Sequence, residues 1–433
     1  MNTIKFIVLL FLASLFYFPF NPSIAPAVNT KMVIAAMGLM WFIVKNAKSR
    51  RLTIDLSMFS ISISAIFVSV IGLCSVVINN TSDYAYASYI ISAWVWIGGA
   101  YAVVEYTRIA FGTTTLRLIT NALICVCVIQ CILSQIIAGN AAVANWVDSI
   151  MASSGFMGKA EGRLYGIGCA LDVAGLKFSC VMLLLAHFVV HPSGKINKRI
   201  EVILYIVAYG IIAIFGSMIS RTTGVGIFLS IVYWLVIGVI NKDDGYAENM
   251  KVLLQTILMI TIIAGPILVY EYNHNSLFYN NIRFGFEGLF SLFETGEWSV
   301  RSNDQLNGMW IWPDNFKTWC IGDGYFGEHT YDPNYIGPNP DLPFYMGTDI
   351  GYCRFVFYFG VIGLIAFSFH FINCFWNCAN NIPSCKLLFL FLLFVNFVGW
   401  IKVSSDIFPI FALILALGSE PSIQDNREDY IED

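Results

Sequence analysis

The sequence predicts an all-α integral membrane protein with about twelve transmembrane helices and one large extracytoplasmic loop. Of its 433 residues, 58% are hydrophobic and only 12% are charged, whereas soluble domains carry about 25% charged residues. The mean hydropathy is +0.71. Apolar runs of about 20 residues recur, which is the length that crosses a bilayer as a helix. Because these runs are continuous rather than alternating, they favour helices over a barrel.

The predicted spans follow one another with a single long interruption. The first run resembles a signal peptide, but further spans follow at once, so we expect an uncleaved first helix. The first, second and last runs are shorter than the others. The predicted spans are residues 6–20, 32–44, 55–78, 85–104, 118–137, 169–190, 200–219, 223–240, 252–270, 351–375, 386–401 and 407–418.

The spans divide the chain into four parts. Residues 1–270 hold helices one to nine, 271–350 form the loop, 351–418 hold helices ten to twelve, and 419–433 form an acidic tail. With the long loop left out, 14 Lys and Arg side chains fall on one side of these spans and five on the other. Because short cytoplasmic loops are rich in Lys and Arg, we expect both termini in the cytoplasm.

Composition and motifs exclude several classes of function. No basic stripe suggests nucleic acid, and no glycine-rich phosphate loop occurs. Most of the 11 cysteines lie in apolar runs, where a thiol behaves as a small hydrophobic group. None has metal-type spacing, so we expect no metal and no cofactor. Cys320 and Cys353 are both expected outside and are able to pair, although spacing does not establish connectivity.

The loop is rich in aromatic and acidic residues. It holds 18 aromatic and 11 acidic side chains against three basic ones. Aromatic rings with carboxylates and amides suit sugars, which offer C–H faces and hydroxyls. An interfacial aromatic belt and a small loop core are the alternative. The candidate sugar-binding residues are Trp298, Trp310, Trp312, Tyr325 and Tyr352.

Four arginines are predicted outside or at the outer membrane edge: Arg163, Arg221, Arg301 and Arg354. Arginine presents a planar fork that matches two phosphate oxygens. Arg221 stands between two apolar runs, where a charge is costly unless it has a partner or a polar cavity. Snorkelling to headgroups or ordinary surface charge is the alternative for each.

Four further charged positions lie in or near spans. Asp172 and Lys177 fall in the sixth span at a spacing that does not share one helix face, so we expect each to contact other helices. Lys402 and Asp406 are four residues apart, a spacing that predicts a pair along one helix.

Several local patterns resemble the O-antigen polymerase and ligase superfamily of bacterial envelopes. These multi-span glycosyltransferases of the GT-C type act on undecaprenyl-linked glycans. The resemblance covers roughly residues 160–365. The order of the matching motifs around a large loop is more specific than any one motif. The matching patterns are Arg163-Leu-Tyr-Gly166, Ser220-Arg221-Thr222, Arg301 followed by Trp310, Ile321-Gly322-Asp323-Gly324-Tyr325-Phe326, Thr348-Asp349-Ile350-Gly351-Tyr352 and Phe359-Gly360-Val361-Ile362-Gly363.

The resemblance implies a metal-independent glycosyltransferase of the bacterial inner membrane. Its donor would be an undecaprenyl-diphosphate-linked oligosaccharide, with the bilayer and a chain-length regulator as further expected partners. The four arginines would neutralise the leaving diphosphate. The candidate bases for the acceptor hydroxyl are Asp349, Glu287 and His329. The ligase branch has a His-Asn pair where this chain has Asp349, which favours a polymerase.

Three functions compete at this point. The first is a polymerase that moves a growing glycan from its lipid diphosphate onto the next lipid-linked repeat unit. The second is a ligase of the same fold. The third is a flippase or other transporter, which predicts internal repeats and broken midplane helices. The sequence does not identify the sugar, the linkage or the class of envelope glycan.

Overall fold

Helices dominate the computed structural model of this protein, which describes residues 3–49, 55–152, 163–193, 197–240, 244–327, 331–342 and 344–418. No β-strand occurs within these ranges. The predicted base His329 and the predicted tail 419–433 lie outside the described residues.

Seventeen helices of six or more residues cover the described ranges. The first six are α1 (Thr3–Tyr17), α2 (Thr30–Ser49), α3 (Leu56–Asn79), α4 (Tyr89–Phe111), α5 (Leu116–Gly139) and α6 (Ala141–Ile150). The next four are α7 (Leu171–Val190), α8 (Lys198–Ile219), α9 (Thr223–Ile240) and α10 (Asp244–His274). The loop carries α11 (Ser276–Gly285), α12 (Glu287–Thr295), α13 (Arg301–Asn307) and α14 (Phe316–Ile321). The last three are α15 (Gly351–Asn381), α16 (Lys386–Gly399) and α17 (Phe408–Leu417).

The predicted class is confirmed, since the chain is an all-helical membrane protein. Eight helices in the described part of the chain are long and apolar enough to cross a membrane: α2, α3, α5, α7, α8, α9, α10 and α15. The other four predicted spans also fall on helices. Of these, α1, α16 and α17 are shorter apolar helices, and α4 carries Glu105 and Arg108 near its end. The total of twelve spans remains a prediction.

The central helix of the bundle is α7. Every residue from Ala174 to Val190 is buried, as expected for a helix that is hydrophobic on all faces. The turn between α8 and α9 approaches α7 closely at Gly175, where an added Cβ would lie 2.6 Å from Ser220 Oγ. Helix α9 approaches α7 at Gly226, where an added Cβ would lie 2.5 Å from Ser179 Cα. The turn between α8 and α9 is therefore held against the first turns of α7.

We call residues 275–350 the loop domain, and its described residues form a folded layer over one end of the bundle. We call that end the loop side. A small core of Tyr325, Tyr345 and Phe357 joins the domain to α15. The link between α3 and α4 provides a second anchor, because Asp83 Oδ2 accepts hydrogen bonds from the backbone N–H groups of Phe326 and Gly327.

The helix α15 is broken near the loop side, and the loop domain fills the break. Gly360 has φ of 70°, and the carbonyls of Phe357 and Tyr358 do not continue the helical ladder. They accept hydrogen bonds instead from the backbone N–H groups of Asp323, at 2.6 Å, and Gly324, at 3.0 Å. Backbone groups at membrane depth need such partners, so the Gly-Asp-Gly turn is part of the bundle's hydrogen bonding.

One possibility that the sequence left open is not realised, and one sequence-based expectation is wrong. Cys320 and Cys353 are both free thiols. Lys402 does not pair with Asp406, because the chain is not helical between α16 and α17 and the four-residue spacing loses its meaning. Its Nζ lies 3.4 Å from Asp172 Oδ1. Lys177 contacts another helix, as expected, since its Nζ lies 5.8 Å from the centre of the Tyr17 ring at the end of α1. Asp172 instead contacts the turn between α8 and α9 and the non-helical segment that carries Lys402.

We predict that Gly360→Ala destabilises the protein. Left-handed backbone at a non-glycine residue costs about 1–3 kcal/mol, and the added Cβ would lie 2.1 Å from the Cys320 carbonyl oxygen. Thermal unfolding in detergent measures the effect. The control is Gly265→Ala in α10, where a Cβ meets no atom within 4 Å. Equal midpoints for the two variants would contradict this account of the break.

Candidate functional site

Arg221 is the best-connected of the four predicted arginines. It lies in the turn between α8 and α9. Shortly before this turn, α8 contains a π-helical segment at Ile212–Gly216. The Arg221 Nε donates to the Phe284 carbonyl at 2.8 Å, and its Nη1 donates to Ser302 Oγ at 2.9 Å. Its Nη2 pairs with Glu287 Oε2 at 2.6 Å. One guanidinium thus ties the bundle to α11, α12 and α13.

Burial lowers the pKa of Arg221 from its usual value, and the nearby Glu287 carboxylate opposes that shift. The side chain nevertheless stays charged, because arginine titrates far above neutral pH. A half-buried, permanently charged guanidinium at the loop side is suited to an anionic ligand.

Arg163 and Arg221 share one aromatic ring. Their guanidinium carbons lie 5.0 Å and 4.1 Å from the centre of the Phe284 ring. Stacking on an aromatic face is a preferred arrangement for arginine. The structure therefore brings together two predicted arginines that stand on separate segments of the sequence, and the ring that joins them comes from the loop domain.

Glu287 and Arg301 lie beside this pair. Glu287 Oε1 accepts a hydrogen bond from the Arg301 backbone N–H at 3.3 Å while Oε2 holds Arg221. Glu287 thus positions two arginine-bearing segments, and its carboxylate is engaged in an ion pair rather than free to accept a proton. The Arg301 side chain is exposed at the start of α13.

An apolar groove of about 460 Å³ begins at Arg221 and Glu287. We call it the α9 groove. Lys402 and Asn303 add polar groups to its lining, while α9 and α16 provide apolar side chains. Arg163 is not among its lining residues. The apolar lining residues that come from α9 and α16 are Val225, Ile227, Phe228, Ile231 and Val398.

A second part of the site lies where α15 begins. The Arg354 side chain is buried between the rings of Phe326 and Phe344, at 4.0 Å and 4.6 Å. Its Nη1 donates to Ser404 Oγ at 2.6 Å and its Nη2 donates to the Phe326 carbonyl at 2.8 Å. Its Nε has no hydrogen-bond partner within the described ranges.

Asp349 stands just before α15 and is half-buried. Burial raises the pKa of Asp349 above its ordinary value, Arg354 and Lys402 oppose that rise, and Asp172 adds to it. Its carboxylate has no ion pair with a described residue. A carboxylate with a raised pKa that is not held in an ion pair is suited to accept a proton.

The two parts are connected through Asp172. Its Oδ1 accepts hydrogen bonds from Thr222 Oγ1 at 2.6 Å and Ser220 Oγ at 3.0 Å, on both sides of Arg221. The same oxygen lies 3.4 Å from Lys402 Nζ. We call Arg163, Arg221, Glu287, Asp172, Lys402, Asp349 and Arg354 the charged cluster.

The predicted sugar-binding aromatics fall into four environments, of which three hold a single residue each. Trp298 lines the α9 groove. Tyr325 is buried in the loop domain against Tyr345, so its ring offers no exposed face to a sugar. Tyr352 packs on Trp400 and donates its hydroxyl to the Phe397 carbonyl, which gives it a place between α15 and α16.

Trp310 and Trp312 form an exposed aromatic surface together with Trp319. The rings of Trp312 and Trp319 are stacked at 5.5 Å, and Trp310 lies 5.8 Å from Trp312. Thr348 Oγ1 donates to the Met309 carbonyl at 2.7 Å, which holds this surface beside the segment that carries Asp349. Stacked exposed rings suit the C–H face of a sugar.

The fold defines an all-α integral membrane protein with a charged cluster between its helix bundle and a folded loop domain. No family model, curated protein or solved structure matches the chain. No group of three or more His, Cys, Asp or Glu side chains in the described part of the chain is placed to hold a metal ion. Function is therefore inferred from the groove and the cluster.

We predict that Arg221→Ala loosens the loop domain, because three contacts to it are lost at once. Limited proteolysis in detergent should cut residues 275–350 faster, on the order of tenfold, which corresponds to about 1.4 kcal/mol. Arg301→Ala is the control, since its exposed side chain makes no ion pair to a described residue. Identical cleavage rates for both variants would refute the tethering role of Arg221.

Proposed function

We propose that this protein is a glycosyltransferase that polymerises lipid-linked glycan. It transfers a growing glycan from undecaprenyl diphosphate onto a lipid-linked oligosaccharide repeat unit. The observation that carries the proposal is the α9 groove, which joins an apolar channel to Arg221 at the edge of the charged cluster. A polyprenyl diphosphate has the same division into a long apolar tail and an anionic head.

The donor lies with its tail along α9 and α16 and its diphosphate at Arg221. Arg301 stands at the start of α13 in the loop domain, Arg163 stacks on the same Phe284 ring as Arg221, and Arg354 lies near Asp349. These charges stabilise the electrons that pass to the diphosphate oxygen as the bond to the sugar's anomeric carbon breaks. Arginine supplies this stabilisation without a metal ion.

The acceptor hydroxyl attacks that anomeric carbon and gives its proton to Asp349. This residue is preferred over Glu287 as the base, because Glu287 is held by Arg221 whereas Asp349 has no such partner. Trp310 and Trp312, extended by Trp319, provide a surface for the acceptor sugars beside it. Trp298 is placed for the donor sugar, since it lines the groove.

The proposal requires the loop domain on the outer face of the bacterial inner membrane. Twelve spans with both termini in the cytoplasm satisfy this, and the bias of Lys and Arg in short segments favours it. Nucleotide sugars are absent from that face, so a transferase there needs an activated lipid-linked donor. The diphosphate linkage of the donor supplies the driving force.

We predict that Arg221→Lys and Arg301→Lys each lower the rate of polymerisation about 10²–10³-fold, the usual cost of losing one transition-state donor. An ammonium offers a point charge where the guanidinium engages two oxygens. The measurement is the ladder of products from purified protein in liposomes, supplied with undecaprenyl-diphosphate-linked repeat units. Arg283→Lys is the matched control, because it changes an Arg–Glu pair of the same domain that lies outside the groove.

Wild-type ladders from both variants would overturn the assignment of the arginines. Absence of polymer from the unaltered protein, with lipid-linked glycan moved to a separate acceptor, would indicate the ligase instead. Movement of the lipid-linked repeat across the bilayer without any new glycosidic bond would indicate a transporter.

We predict that polymerisation falls as the pH drops through the raised pKa of Asp349, because only its ionised form accepts a proton. Lys402→Gln removes a charge that opposes the rise, so the acidic limb of the pH–rate profile should move to higher pH. Lys317→Gln is the control, since it pairs with Asp323 instead. Asp349→Asn should abolish polymerisation at every pH. A limb that does not move in Lys402→Gln would exclude Asp349 as the base.

A further inference from the structure

A second large cavity lies at the end of the bundle opposite the loop domain. Its volume is about 570 Å³, and it is lined by residues of α2, α3, α4 and α17. Its walls are mainly apolar, with Leu39, Phe42, Phe59, Trp94 and Leu415 among them. We call it the α2–α4 cavity. It shares no lining residue with the α9 groove.

Close packing of α2 against α4 bounds one side of this cavity. A Cβ on Gly38 would lie 1.9 Å from the Gly98 carbonyl oxygen, so α2 and α4 touch at their backbones there. Both glycines line the cavity, which therefore lies against this crossing. Along α4 its lining runs from Trp94 to Arg108, a distance of about 21 Å at 1.5 Å per residue.

The end of the cavity away from the loop side is charged. Lys45 and Arg108 line it, and both pair with the buried carboxylate of Glu105. Asp55 is the one acidic residue among the described lining residues, and it accepts a hydrogen bond from the backbone of α3. Lys5 and Lys48 stand on neighbouring helix ends, and Lys5 donates to the last turn of α4. The local balance is therefore positive.

We propose that the α2–α4 cavity binds one anionic phospholipid. An acyl chain occupies the apolar part, and the phosphate lies at Lys45 and Arg108. The positive charge selects an anionic lipid, because each basic side chain at a membrane surface raises the affinity for such a lipid about fivefold. The length and apolar lining of the cavity select a lipid over a free anion. This site is separate from the proposed glycan chemistry.

Native mass spectrometry of the full chain tests the proposal. The detergent-solubilised protein is mixed with equal amounts of phosphatidylglycerol and phosphatidylcholine that carry the same acyl chains. We expect one phosphatidylglycerol to be retained in preference. Lys45→Gln should reduce that preference about fivefold, whereas Ser62→Phe, which places a ring in the cavity, should abolish retention of either lipid. Arg199→Gln is the control, because it alters an exposed ion pair outside the cavity.

Several outcomes would overturn the proposal. These are equal retention of the two lipids by the unaltered protein, undiminished retention by Ser62→Phe, and displacement of phosphatidylglycerol by inorganic phosphate. Retention of no lipid would mean that other groups fill the cavity. The preference for phosphatidylglycerol over phosphatidylcholine is measured on the unaltered protein. The test therefore remains decisive even if Ser62→Phe does not fold.

Discussion

The hydrogen bonds that fill the break in α15 are the constraint on which the rest of the site depends. Without the Gly-Asp-Gly turn, the Phe357 carbonyl would lose the N–H of Asp323, and the Tyr358 carbonyl would keep only the hydroxyl of Ser75 as its donor. Each unsatisfied group in such surroundings costs several kcal/mol. The loop domain is therefore part of the bundle's hydrogen-bonded structure, and the short first segment of α15 is fixed in direction. That segment carries Arg354 and follows Asp349, so the break sets where both lie.

Arg221 provides the second fixed point, on the opposite side of the loop domain. Its three polar contacts and the stacking of Phe284 hold α11, α12 and α13 over the turn between α8 and α9. Asp172 then joins that turn to Lys402 and the segment before α17. The site is thus built where a rigid bundle meets a domain secured at both ends, which suits the precise placement that a transfer reaction needs.

The helices were predictable because span length and hydropathy are local properties of the sequence. Arg221 was predictable as well, since an isolated charge between apolar runs demands a partner. The identity of that partner was not, because it depends on how α12 folds back over the bundle. Lys402 shows the same limit: its partner is on α7 rather than four residues away, since its segment is not helical. The burial of Tyr325 likewise follows from contacts with Tyr345 and α15 that composition does not encode.

The ion pair between Arg221 and Glu287 bears on how the site would receive a donor. An arginine this far from water needs an anion nearby at all times, because an unpaired buried charge is costly. Glu287 supplies one when the groove is empty and keeps the guanidinium pointed at the mouth of the groove. A diphosphate carries more negative charge than a single carboxylate, so in the proposed reaction it would compete with Glu287 for Arg221. Glu287 would then lose its ion pair and keep its hydrogen bond from the backbone N–H of Arg301, a cost that the larger charge of the diphosphate would offset. Under the proposed function, this exchange of one anion for another would keep Arg221 paired both when the groove is empty and when a lipid diphosphate is bound.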